Sequence, residues 1–67
     1  MDPKKIGDKI IQYRQDRGIT QEKLARAIHV SVSAIGMYER GERVPQDDIK
    51  LRIADYFDVN VGPFFYD

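Results

Sequence analysis

The side chains with the most chemistry to offer are bunched between Gln21 and Arg43 of this 67-residue chain. Gln21, Ser31, Ser33, Arg40 and Arg43 bring amide, hydroxyl and guanidinium groups, with Val32, Gly36 and Met37 interleaved among them. Guanidinium groups suit anionic oxygens, where charge-assisted hydrogen bonds are strong, and hydroxyls donate or accept as a partner requires. No acid, base and nucleophile can be assembled from this set. The chain has one histidine, His29, no cysteine, and no serine with visible helpers. A lone histidine without a carboxylate cluster is not a metal site either. The expectation is binding rather than turnover: no enzyme, no metal and no cofactor.

Two elements must position these groups. Leu24, Ala25 and Ile28 recur at helical spacing, and so do Ala34, Ile35 and Tyr38. Between them lies a short break, His29-Val30, followed by Ser31, whose hydroxyl can cap a second helix by accepting from a free backbone N–H. Two short helices joined in this way make a helix-turn-helix, whose second helix can enter a DNA major groove. With Ser31 as the cap, Val32, Ser33, Gly36, Met37 and Arg40 fall on the face away from Ile35 and Tyr38. Ser33 can then meet a base edge and Val32 a thymine methyl. Gly36 lets the backbone approach DNA closely, at a helix-propensity cost of about 1 kcal/mol. Met37 offers adaptable apolar contact but no hydrogen-bond code.

The flanking segments complete a bundle. Asp2 and Pro3 predict a capped helix running to about Arg17 and stopping at Gly18. Ile6, Ile10, Tyr13 and Arg17 share its stripe, with Ile11 and Arg14 beside it, and Lys4, Lys5 and Lys9 cluster on the early turns as a solvated face, the alternative being phosphate contact. Ile19 serves as a staple and Thr20 caps the next helix, where Glu22 suits the dipole. Gln21 sits at that helix start, where its amide and free N–H groups can hold a phosphate oxygen. Gly41 ends the second motif helix. Arg40, Arg43 and the loop to Pro45 then carry charge suited to phosphates, with Glu42 weakening the field.

Asp47 or Asp48 opens a fourth helix with Ile49, Ile53, Ala54 and Phe57 inside and Leu51 undecided. Asp58-Val59-Asn60 breaks it, Asn60 caps a short fifth element, and Val61 and Phe64 close the core. One or two rings of Phe64-Phe65-Tyr66 fill that core. Tyr56, Phe65 and Tyr66 are the candidates for a two-fold contact between copies. The expected fold is all-α, a compact bundle of four helices plus a short fifth. It forms one domain over 1–67 with the helix-turn-helix at 20–41.

Sixty-seven residues without cysteine lie near the low end of what folds unaided, so burial must come from apolar helix faces. No apolar run approaches a membrane span and no signal peptide opens the chain, so a cytoplasmic protein with no membrane contact is expected. Formal net charge is zero, a mild argument against nucleic acid. The distribution softens it. Residues 1–43 hold nine Lys/Arg against six Asp/Glu, whereas residues 44–67 hold two against five.

Thr20-Gln21-Glu22-Lys23-Leu24-Ala25, then Val30-Ser31, Ser33, Ile35, Tyr38-Glu39 and Gly41, then Pro45 and Ile53-Ala54, resembles the Cro/lambda-repressor-like (XRE) family of bacterial and phage regulators. The likeness covers roughly Ile6 to Phe65. It implies a lambda-repressor-like DNA-binding domain and sequence-specific binding of double-stranded DNA. It further implies transcriptional repression by operator occupancy, as a homodimer on half-sites about one helical turn apart. By the same resemblance Gln21 holds a phosphate, Arg14 pairs with Glu39 to join the first helix to the third, and His29 occupies a turn position where glycine is usual. The chain departs from the family in lacking glutamine, arginine or asparagine between Val32 and Met37, where bidentate base readout would sit. Recognition then leans on methyl contacts, backbone and DNA shape. The alternative is that the Val32-Gly36-Met37 face meets a protein, as in an antitoxin or immunity-type partner binder.

Overall fold

The first three helix starts in this chain are set by side-chain caps. Asp2 Oδ1 accepts from the Lys4 N–H at 2.9 Å, with Pro3 in the first helical position. Thr20 Oγ1 accepts from Lys23 N–H and Ser31 Oγ from Ala34 N–H, each at 3.0 Å. The computed structural model describes residues 2–66, and their regular structure is entirely helical. The order is α1 (Pro3–Asp16), α2 (Gln21–Ile28), α3 (Val32–Glu39), α4 (Asp47–Phe57) and α5 (Val61–Phe65). α1 stops one residue short of the expected Arg17, which becomes its C-cap before Gly18 turns left-handed at φ 64°.

Two caps differ from expectation. Neither Asp47 nor Asp48 caps α4: the backbone stays extended through Gln46 (φ −68°, ψ 163°), so both carboxylates fall in the first turn and act on the helix dipole instead. Asn60 occupies the cap position of α5, but its side chain makes no capping bond.

Ile6 and Ile10 of α1, Leu24 and Ile28 of α2, Ile35 of α3, and Ile53 and Phe57 of α4 bury their side chains together. α3 is packed by α1 and α2, while α4 packs on α2 and α5, and α5 closes back onto α1. Tyr13, Phe57, Phe64 and Phe65 make an aromatic cluster at the α1–α4–α5 end, with centroid spacings from 4.7 to 6.3 Å. This corrects one expectation. Phe65 is buried against Phe64 in the core, so it is not available to a second copy. Tyr56 is half-buried, and Tyr66 and Leu51 are each 53% exposed.

Several basic side chains are part of the frame. Lys9 Nζ donates to the carbonyls of Pro63 and Phe64, both at 3.1 Å, so it holds α5 rather than forming a plain solvated face. Arg17 lies over the rings of Tyr13 and Phe57 and donates to the Phe57 carbonyl at 3.3 Å. Arg52 donates to the Ile28 carbonyl at 3.1 Å. Each satisfies a carbonyl left over at a helix C-terminus. Lys50 is the least expected: it is 3% exposed, with its ammonium 3.1 Å from the Tyr66 hydroxyl and 4.3 Å from that ring's centroid. The Tyr66 hydroxyl in turn donates to Asp47 Oδ1 at 3.1 Å. Among the described residues, no helix is long and apolar enough to cross a membrane.

Candidate nucleic-acid interface

The direction of α3 is fixed by three residues. His29 sits in the left-handed region (φ 61°, ψ 46°), which a histidine adopts at some cost. In that conformation the Val30 N–H reaches back to the Ala25 carbonyl at 3.0 Å and closes the end of α2. The Ser31 cap then opens α3 at once. Its hydroxyl hydrogen stays free to donate outward, because the capping bond uses the oxygen as acceptor.

α3 has two distinct faces. Ala34, Ile35 and Tyr38 are buried in the core. Val32 is 40% exposed, Ser33 is exposed and Met37 is half-buried on the other side. Gly36 departs from expectation, because it is buried rather than open to an approaching backbone. Its cover is one flexible group: a Cβ built on Gly36 would lie 2.9 Å from Arg40 Nη1. The Arg40 guanidinium is held there by Glu42, with Nε 2.7 Å from Oε2 and Nη2 3.4 Å from Oε1. That hydrogen bond raises the pKa of Arg40 and lowers that of Glu42 from their ordinary values. Arg43 is exposed close by.

Behind this surface lies a buried ionic knot. Glu39 accepts from Arg14 Nε at 2.8 Å and Nη2 at 3.2 Å, and from Gln21 Nε2 at 2.8 Å. Arg14 Nη1 also donates to the Ile19 carbonyl at 2.9 Å. The side chains are 14% and 5% exposed for Arg14 and Glu39. A single carboxylate therefore ties α1, α2, α3 and the α1–α2 turn to one another. Such a bidentate fork fixes geometry as well as adding energy. Gln21, expected to face a phosphate, commits one of its amide hydrogens to Glu39, leaving the second for an outside partner, while among the first N–H groups of α2 that of Lys23 is already taken by Thr20 Oγ1.

Gly7 decides how closely α1 can lie on the end of α3. A Cβ there would fall 2.5 Å from both the Tyr38 and Glu39 carbonyl oxygens. No pattern marks it, since a glycine inside a helix signals only that something approaches closely.

A helix-turn-helix sequence profile matches residues 10–64. The uncharacterised HTH-type transcriptional regulator YazB of Bacillus subtilis is 39% identical over 54 residues, covering 81% of this chain and 78% of that relative. Among solved structures, the restriction-modification controller protein C.AhdI from Aeromonas hydrophila superposes with a TM-score of 0.88 at 30% identity, covering 96% of this chain and 97% of the other. The clp gene regulator ClgR from Corynebacterium glutamicum, at 22% identity, shares the fold with a TM-score of 0.87, covering 96% of this chain and 68% of its own. With α2, the His29 turn and α3 in the arrangement described above, the chain belongs to the Cro/lambda-repressor-like (XRE) helix-turn-helix family of DNA-binding transcriptional regulators.

Proposed function

We propose that this chain binds double-stranded DNA sequence-specifically as a homodimer and represses transcription in the cytoplasm by occupying an operator, with α3 in the major groove. The observation that carries this reading is the division of α3: its Ile35 side is sealed in the core while Val32 and Ser33, in the N-terminal half of the helix, look outward, with the half-buried Met37 one turn further on. That half is the one that meets base edges in this mode of docking. Val32 and Met37 read thymine methyls and groove shape, and Ser33 supplies a hydrogen bond. Gln21, Ser31, Arg40 and Arg43 take phosphate oxygens, the first two from helix N-termini.

Size supports the dimer. The longest axis of the subunit is 26 Å, short of the ~34 Å that separates successive major-groove half-sites, so a palindromic operator needs two copies. Tyr56 and the exposed Tyr66 supply the contact between them. Selection of bound duplexes from a random oligonucleotide pool tests the whole reading. Recovered sequences should share a palindrome with half-sites one helical turn apart. A pool that stays random after repeated selection would refute sequence-specific binding, and a protein partner on the Val32–Met37 face would then be the better account.

A further inference from the structure

We propose that Glu42 acts as a built-in phosphate mimic, holding Arg40 across Gly36 so that this part of the outer face of α3 stays covered until a duplex takes the arginine over. The inference rests on the DNA-binding reading above and adds the control of that same surface. Four observations carry it. The Arg40 fork grips a carboxylate with two nitrogens, the geometry with which a guanidinium also grips a phosphate. The same guanidinium is the group that covers Gly36, with Nη1 2.9 Å from where a Cβ would sit. Both side chains are more than half exposed, at 60% and 55%, so the pair is weak and water or an incoming anion can replace either half. Arg43 stands exposed just beyond, a cation able to make first contact with the DNA backbone.

The consequence is a cost placed on indiscriminate binding. A duplex of any sequence must strip Arg40 from Glu42 to gain that phosphate contact, and Glu42 then lies close to the DNA charge. A cognate site recovers the loss through base contacts at Val32, Met37 and the uncovered Gly36. A random site has no such contacts to offset it. Glu42 therefore lowers both affinities by a similar factor, which leaves a random site poorly occupied while a cognate site keeps enough affinity to be filled.

The test uses the wild-type chain, Glu42→Gln, Arg40→Met and the double substitution. Each is titrated at several salt concentrations with a mixed-sequence duplex and with the duplex recovered from the pool selection. Glu42→Gln should tighten binding of both duplexes by a similar factor, about two- to fivefold. The slope of log K against log salt should steepen by about 0.9, the release of one more phosphate counterion. In the Arg40→Met background the gain should fall by half or more. An equal gain in that background would show a general charge effect and overturn the latch, as would no gain at all. The Arg40 Nε–Hε NMR signal of the free protein gives a readout independent of DNA. It should move in Glu42→Gln, and an unmoved signal overturns the pairing itself. If no variant binds either duplex although that signal moves, the DNA-binding reading has failed and takes the proposed gate with it.

Discussion

Replacing Glu39 with alanine should be among the most damaging single changes in this protein. The side chain is 5% exposed and accepts three hydrogen bonds, two from Arg14 and one from Gln21. Its loss leaves a guanidinium in a site only 14% exposed, with the Ile19 carbonyl as its one remaining partner. Breaking a buried pair from one side costs about 3–5 kcal/mol. Some solvent access and the retained Ile19 bond bring that to about 2–4 kcal/mol here. A domain of this size has about 3–10 kcal/mol in total, so the variant should sit near the edge of unfolding. The midpoint of thermal unfolding should fall by about 10–30 °C.

Urea denaturation followed by circular dichroism measures the loss, with an unchanged slope confirming that only stability moved. Arg14→Met combined with Glu39→Met separates the cause, because removing both charges leaves no unpaired charge in the interior, only the Gln21 amide and the Ile19 carbonyl short of a partner. The double variant should recover at least half of the loss. A cost below about 1 kcal/mol for Glu39→Ala, the level of a solvent-exposed pair, would refute the reasoning. So would a double variant no more stable than Glu39→Ala alone.

Gly7→Ala should destabilise by about 2–3 kcal/mol, because the new methyl meets two carbonyl oxygens at 2.5 Å and α1 must move off α3. Gly62→Ala, where a Cβ meets nothing within 4 Å, is the control in the same denaturation series, and equal effects would refute the close approach at Gly7. His29→Gly should hold or raise stability by up to about 1 kcal/mol, since it relieves a left-handed residue at the end of α2. A clear loss in the same assay would mean that the imidazole has a role beyond making the turn. Arg43→Ala should flatten the salt dependence of DNA binding by about 0.9 in the log–log slope and leave the urea midpoint unchanged. A slope equal to that of the wild type would remove Arg43 from the phosphate contacts.

The helices were legible because their signals are local. Asp2, Thr20 and Ser31 each cap through a bond to a backbone N–H two or three residues on, and the apolar residues that follow keep helical spacing. The left-handed His29 followed from its place in the turn of a recognisable family motif, as did the meeting of Arg14 with Glu39. What stayed hidden depends on segments distant in the chain. Lys50 lies against the rings of Phe65 and Tyr66, which return over it, and a lysine in an exposed-looking helix carries no local mark of that. Phe65 and Tyr66 are equally aromatic neighbours, yet the packing of α5 against α4 sends one inward and leaves the other half in water. Gly36 looked open because its neighbours on α3 are small or flexible, whereas its cover comes from Arg40, pinned by Glu42 beyond the helix end. Basic residues mislead most when counted as free charge: Lys9, Arg14, Arg17 and Arg52 are each committed to an internal acceptor.

The central claim is that the outer face of α3 enters a DNA groove. Titrating the pool-selected duplex into isotope-labelled protein and following backbone amide signals tests it most directly. The largest shifts should fall at Val32, Ser33, Gly36 and Met37, with Gln21 and Arg43 at the margins. Shifts concentrated instead on the Leu51–Tyr56 side, or no shifts at duplex excess, would contradict the account.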